Sequence, residues 1–185
     1  MLPLATPAQL GAYLQQTFAD TDPAALMVLS IASGAVRDHL QQQLSALAGD
    51  VILTELIDGE VFLPEFPVTA VTLVETFDGT VWTTAAPTTY TVSKRLGIIA
   101  TVPYSGVTWP VNPETWRITY SHGFATIPDG LVGVCLGVAA RIYATQDGID
   151  MERIGSYQVK YQSDSEGFSP LQLKIMGRYM NPRIS

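Results

Sequence analysis

The spacing of apolar residues changes period twice along the chain. Behind Thr6-Pro7, a capping hydroxyl followed by proline at the first helical position, Leu10, Tyr13, Leu14 and Phe18 recur at helical spacing. Asp22-Pro23 repeats that start, and Leu26, Leu29, Ser33, Val36, Leu40 and Leu44 carry the pattern on over about six turns to Gly49. The first fifty residues therefore predict a helical hairpin. From Val51 to Ser121 the chain is rich in Val, Thr, Ile, Tyr and Trp, with Asp58-Gly59 and Asp78-Gly79 as hairpin turns and Gly97 as a further turn. Trp116, Ile118 and Tyr120 alternate with Arg117, Thr119 and Ser121, the signature of a half-buried strand. The prolines and glycine of residues 103–113 mark a loop.

Helical spacing returns after Pro128-Asp129, where Leu131, Val134, Cys135, Val138 and Ile142 make an apolar face. Gly130, Gly133, Gly137, Ala140 and Ala144 form a second stripe on the same helix. A glycine inside a helix costs up to about 1 kcal/mol relative to alanine, so this stripe predicts the close approach of another helix, from the same chain or a neighbour. Tyr157, Val159 and Tyr161 alternate with Gln158, Lys160 and Gln162, predicting a short strand, and residues 163–167 read as a mobile polar segment. Ser169-Pro170 opens a last helix with Leu171, Ile175 and Tyr179 at helical spacing and Lys174 and Arg178 on its polar side; Asn181-Pro182 stops it. The expected fold is α+β, mainly α: a helical bundle with an inserted antiparallel β-hairpin region and a C-terminal helix and tail. It is expected as one domain, with a helical core over 5–49 and 128–162, the β region over 51–121 and a C-terminal segment over 163–185.

Composition adds that the chain is built to bury surface. Hydrophobic residues make up 47% of its 185 positions and charged residues 15%, which supports a core and leaves much neutral surface for an assembly to cover. The net charge of −7 is uneven. Up to Ser93 one basic residue, Arg37, stands against ten acidic ones for −9; from Lys94 onward nine basic and seven acidic residues give +2. Such a balance excludes a general phosphate-gripping surface and suggests two unlike partner surfaces. A single cysteine, Cys135, excludes an intrachain disulfide. No signal peptide is expected at M-L-P-L-A-T-P, and the most apolar run, residues 131–140, is far shorter than the roughly 20 residues of a membrane helix.

No constellation of reactive residues emerges. His122, in Y-S-H-G-F, reads as a turn histidine bonding local backbone, and His39 has no spacing relation to it. Cys135 lies on an apolar helix face and reads as an inert thiol. Asp147, Asp150 and Glu152 lack the twelve-residue calcium-loop pattern. There is no G-x-S-x-G, P-loop or G-x-G-x-x-G. Trp82, Trp109 and Trp116 could offer a sugar-stacking platform, although Trp116 reads as core. No catalytic residue, metal or cofactor is therefore expected.

Taken in order, several segments resemble the head–tail connector (adaptor) proteins of long-tailed double-stranded DNA bacteriophages. They are the T-P-A-Q-L helix, the helix after Asp22-Pro23 and L-P-E-F-P-V-T-A-V (Leu63 to Val71), then Y-T-V, G-I-I and W-R-I-T-Y-S-H-G-F. The helix P-D-G-L-V-G-V-C-L-G-V-A-A-R-I-Y follows, then E-R-I-G-S-Y-Q-V-K-Y (Glu152 to Tyr161) and a basic final helix. The resemblance covers most of the chain. It implies a virion structural protein at the head–tail junction, made in the host bacterial cytoplasm and assembled as a homo-oligomeric ring, typically a dodecamer, beneath the portal. The C-terminal segment would dock on the portal protein, and the far side would receive the next neck or tail component. DNA would pass through the channel without sequence-specific binding, and no membrane is involved. Carried over by position, Leu171, Lys174, Arg178, Tyr179 and Arg183 are the portal-docking candidates, and Gly133, Gly137 and Ala140 the helix-packing positions. The β region over 51–121 is longer than in the smallest, mostly helical members, which leaves its partner open. Two other readings stand beside this one: another neck or tail-completion protein that binds the tail tube, and a β-rich carbohydrate-binding module or hydrolase using the tryptophans and His122. On the adaptor reading, deleting the residues after Ser169 is expected to abolish portal docking in a pulldown and to leave the fold intact.

Overall fold

The computed structural model describes residues 2–144, 151–154, 157–160 and 167–180. They divide into two compact units, one from the described residues of 1–41 and 127–180, the other from 42–126.

The first unit is helical. Helix α1 (Pro7–Leu14) begins in a capping box: Thr6 Oγ1 accepts from the Gln9 N–H at 3.2 Å, and Gln9 Oε1 accepts from the Thr6 N–H at 2.8 Å. Helix α2 (Pro23–Leu40) is capped by Asp22, whose Oδ1 accepts from the Ala25 N–H at 2.9 Å. Helix α3 (Asp129–Ala144) packs against α1, α2 and helix α4 (Pro170–Met176). Leu10, Leu29, Val36, Leu131, Val134 and Met176 are fully or almost fully buried, at helical spacings that turn one face of each long helix inward. The chain before α1 lies along α2: the Leu4 N–H donates to Ser33 Oγ at 2.9 Å, and the buried Arg37 donates through Nη2 to the Leu2 carbonyl. Strands β8 (Met151–Ile154) and β9 (Tyr157–Lys160) pair antiparallel with each other.

The second unit is all β. Its first sheet, in the order β1-β7-β3-β4, contains β1 (Leu47–Thr54), β3 (Val68–Phe77), β4 (Trp82–Thr84) and β7 (Trp116–His122). Its second, in the order β2-β6-β5, contains β2 (Glu60–Phe62), β5 (Tyr90–Ser93) and β6 (Ile98–Thr101). All these pairings are antiparallel. One core joins the sheets: Val61 and Ile99 from the second meet Val74, Trp116, Ile118 and Tyr120 from the first. Strand β7 shows why, since every second residue from Trp116 to His122 is buried and those between are half-exposed. The Trp116 indole N–H, taken out of water, donates to the Pro110 carbonyl at 3.0 Å.

These observations correct the expectation of a mainly α bundle. The fold is a β-rich α+β one, 31% helical and 27% strand. The helical reading ran too far because helical spacing continues past the true helix end. Gln41 turns left-handed at φ 52° and closes α2, while Leu44, in phase with the helix, is buried in non-helical chain. Gly49, read as the helix terminus, instead sits at φ 69° in β1, where one extra residue bulges the strand between Leu47 and Asp50. The β core also accounts for itself, with nine fully or almost fully buried residues of its own.

Gly123 follows β7 at φ 85°, and a Cβ there would lie 2.4 Å from the Ser45 carbonyl oxygen. Gly123→Ala thus combines a disfavoured backbone with a clash against main chain, and is expected to lose more than about 1 kcal/mol in urea unfolding. Gly79→Ala, at φ 103° but with nothing within 4 Å, should lose less.

Candidate functional site

The residues with reactive side chains do not converge. Among the described residues no three His, Cys, Asp or Glu side chains group closely enough to hold a metal ion. His122 is not a turn residue: it ends β7 with its ring buried, Nε2 3.3 Å from Asp50 Oδ2, Nδ1 without a partner among the described residues, and its ring centroid 5.1 Å from that of Tyr120. Burial raises the Tyr120 hydroxyl above the usual phenol range, with the Asp50 and Glu65 charges adding to it. Cys135 is buried beside Ser33, Sγ to Oγ 3.4 Å, and burial pushes its thiol up, away from the nucleophilic thiolate. Of the acids at 147, 150 and 152, the first two lie outside the described residues and the third is placed only as backbone in β8.

The tryptophans do not share an exposed platform. Trp116 is fully buried, with Trp109 packed on it at 5.0 Å between ring centroids. Trp82 stacks on Phe77 at 5.1 Å and carries the Arg117 guanidinium 4.5 Å over its ring. Arg117 is in turn bidentate to Glu75, at 2.6 and 2.7 Å, and this hydrogen bonding holds the Glu75 carboxyl below its ordinary range. The pair braces the outer face of the first sheet. A shallow open cleft of about 320 Å³ at the end of β1 is lined by Leu53, Thr54, Glu55, Pro113 and Glu114, whose ionisable side chains are the two carboxylates.

What the helical unit does present is α4. A capping box starts it, with Ser169 Oγ accepting from the Gln172 N–H at 3.3 Å and Gln172 Oε1 from the Ser169 N–H at 2.8 Å. Arg141 of α3 holds that start in place: Nη2 donates to the same Gln172 Oε1 at 3.0 Å and Nη1 to the Gly167 carbonyl at 3.2 Å. Just before α4, Phe168 packs on His39 of α2, ring centroids 5.1 Å apart. Met176 is fully buried, and α4 lies on the small-residue stripe: a Cβ at Gly130 would come within 3.1 Å of Ile175 Cγ2, and one at Gly137 within 2.9 Å of Gln172 Nε2. The approaching helix thus belongs to the same chain. Gly133, by contrast, is exposed with nothing within 4 Å, and Ala140 is half-buried.

The proposed docking residues divide accordingly. Leu171, Lys174 and Arg178 are exposed; Tyr179 is half-buried beside Gly130, and Arg183 lies outside the described residues. The Arg141 and Gln172 clamp was not foreseen in the sequence. Because Met176 is buried, removing everything after Ser169 strips a core residue as well as a surface, so point substitutions on the exposed face separate docking from folding.

No family model matches the chain, and no curated protein matches it by sequence. Solved structures do match in fold. A chain from the neck of a native gene transfer agent particle, computed with C12 symmetry, superposes with a TM-score of 0.60 at 20% identity, over 94% of this chain and 86% of that one. A chain from the neck of the empty particle, computed with C6 symmetry, gives 0.57 at 19% identity, over 97% and 89%. One from the native virion gives 0.55 at 21%, over 97% and 89%. The shared fold extends over nearly the whole chain, β unit included.

The glycine stripe yields a graded expectation. Gly133→Ala should raise stability by up to about 1 kcal/mol through helix propensity alone, having nothing to strike. Gly130→Val should lower it by about 1–3 kcal/mol by pushing Ile175 and Tyr179 off α3. Thermal unfolding of the two variants measures both.

Proposed function

We propose that this chain is a structural subunit of the neck of a phage-like particle, an adaptor that forms a ring beneath the portal and joins head to tail. The superposition on gene transfer agent neck chains over 94% and 97% of this chain is the observation that carries the reading. The particle necks themselves were computed with C12 and C6 symmetry, which supports a homo-oligomeric ring. Scattered reactive side chains support a structural role over an enzymatic one. The net charge of −7 supports a channel through which DNA moves without being gripped.

On this reading α4 is the portal-facing element. Its capping box, the Arg141 clamp and buried Met176 fix it on α3, so its outward face is set before any partner arrives. Leu171 supplies apolar contact and Lys174 and Arg178 supply charge, with Tyr179 at the margin and Arg183 beyond. The ring would sit in the virion after assembly in the host cytoplasm, with the next neck or tail component on its other side.

The test is mass determination of the protein alone and mixed with the portal protein of the same genome. A stoichiometric complex with about twelve copies is expected, on the analogy of closed heterologous rings. The double substitution Lys174→Glu with Arg178→Glu should weaken portal binding by more than tenfold while leaving the melting temperature within a few degrees, both side chains being exposed. Binding to the tail-tube protein with indifference to the portal would replace the adaptor reading with that of a tail-side component.

A further inference from the structure

We propose that β1 is the acceptor edge of an intermolecular sheet, and that its occupant is the β8–β9 hairpin of a second copy of this chain. The inference rests on the ring reading above and assigns the surfaces that would close the ring.

Strand β1 is the outermost strand of the four-stranded sheet and, at eight residues, one of its two longest. Among the described residues only β7 pairs with it along its length, so main-chain groups of alternate residues face its open side, and the Val51 N–H is met by Asp50 Oδ1 at 3.0 Å. Long edges in soluble proteins are usually blunted by charge, proline or covering chain. Here the protection is thin: a bulge and Asp50 stand at the start, and no proline or basic residue occurs within the strand. Its solvent face is apolar instead, with Leu47 47%, Val51 54% and Leu53 53% exposed. Across the sheet Val51 stands in register with Thr119, which is itself opposite Leu73, so the apolar strip runs inward from the edge.

The hairpin has the opposite deficiency. Strands β8 and β9 pair with each other, and among the described residues with no other strand. Two isolated strands are marginal in water; a third strand or a packing surface is what stabilises them. In sequence β9 alternates Tyr157 and Val159 with Gln158 and Lys160, the period-two pattern of a strand with one apolar side, as the exposed strip of β1 requires of a neighbour.

Charge selects the occupant. No lysine or arginine occurs between Arg37 and Lys94, a span that contains β1 with Asp50 and, just beyond it, Glu55. The hairpin carries Arg153 and Lys160 against one acid, Glu152. The acidic edge would repel another copy of itself, which disfavours the symmetric β1-to-β1 pairing that exposed edges otherwise invite. One β1 edge and one β8–β9 pair per chain make the contact head to tail, the type that closes into a ring.

Disulfide trapping tests the pairing. Directly opposed positions on neighbouring strands fall within disulfide range, and the buried Cys135 stays out of the reaction. Full-length chains carrying Val51→Cys or Leu53→Cys are mixed with chains carrying Tyr157→Cys or Val159→Cys, with and without portal protein, and oxidised. Mass spectrometry then scores mixed linked pairs against a Thr83→Cys control on β4, at the far end of the same sheet. Linkage at least tenfold above the control is expected. In an otherwise unmodified chain, Leu53→Lys should weaken self-association at least tenfold, while its unfolding midpoint stays near that of the parent because the position is exposed. Rings of normal mass whose linkage does not exceed the control would overturn the strand pairing and leave the adaptor reading standing. Monomers under every condition, with no linkage, would overturn both.

Discussion

The approach of α4 to α3 governs what the helical unit turns outward. Two side chains missing at Gly130 and Gly137 let the short helix settle on the long one, and Ile175 and Gln172 occupy the space where β-carbons would be. Seven residues of helix are too few to be stable in isolation. Its order is supplied from outside: by Met176 entering the core, by the capping box, and by Arg141 reaching from α3 to Gln172 and Gly167. Leu171, Lys174 and Arg178 inherit fixed positions from contacts made on the opposite side of the helix.

The β unit solves a different problem with simpler means. Two short sheets enclose one apolar layer in which Trp116 is the largest member, satisfied at its only polar atom by Pro110. The sheet faces turned outward are held by directional contacts instead, as in the stack of Glu75, Arg117, Trp82 and Phe77. An interior made by alternation needs little sequence specificity beyond period two. This fits with a fold shared at 19–21% identity with the neck and virion chains.

Much of this was legible in the chain itself. Thr6-Pro7, Asp22-Pro23 and Ser169-Pro170 each mark a helix start that the structure contains, because capping chemistry is local. The alternation from Trp116 to Tyr120 marked β7 for the same reason. The end of α2 was not legible: Gln41 carries no stop signal, and Leu44 keeps helical phase although tertiary burial is what holds it. That overrun, together with a helical core expected to run to residue 162 across β8 and β9, made the fold look mainly α. The clamp around Gln172 was hidden for another reason, since it joins Arg141 to a helix 31 residues away and pairing at that range leaves no periodic trace. His122 looked like a turn residue until Asp50, 72 positions distant, proved to be its neighbour.

The chain enters and leaves the β unit through one narrow gate. The Phe124 N–H donates to the Leu44 carbonyl at 2.8 Å and the Ala46 N–H to the Phe124 carbonyl at 3.0 Å, tying the incoming and outgoing strands side by side. In evolutionary terms such a unit is a cassette. Its two ends are already neighbours, so hairpins inside it can lengthen, shrink or be exchanged without either flanking helix having to shift to keep the chain continuous. A lineage gains a changed β surface in this way while keeping the helices that hold its own α4.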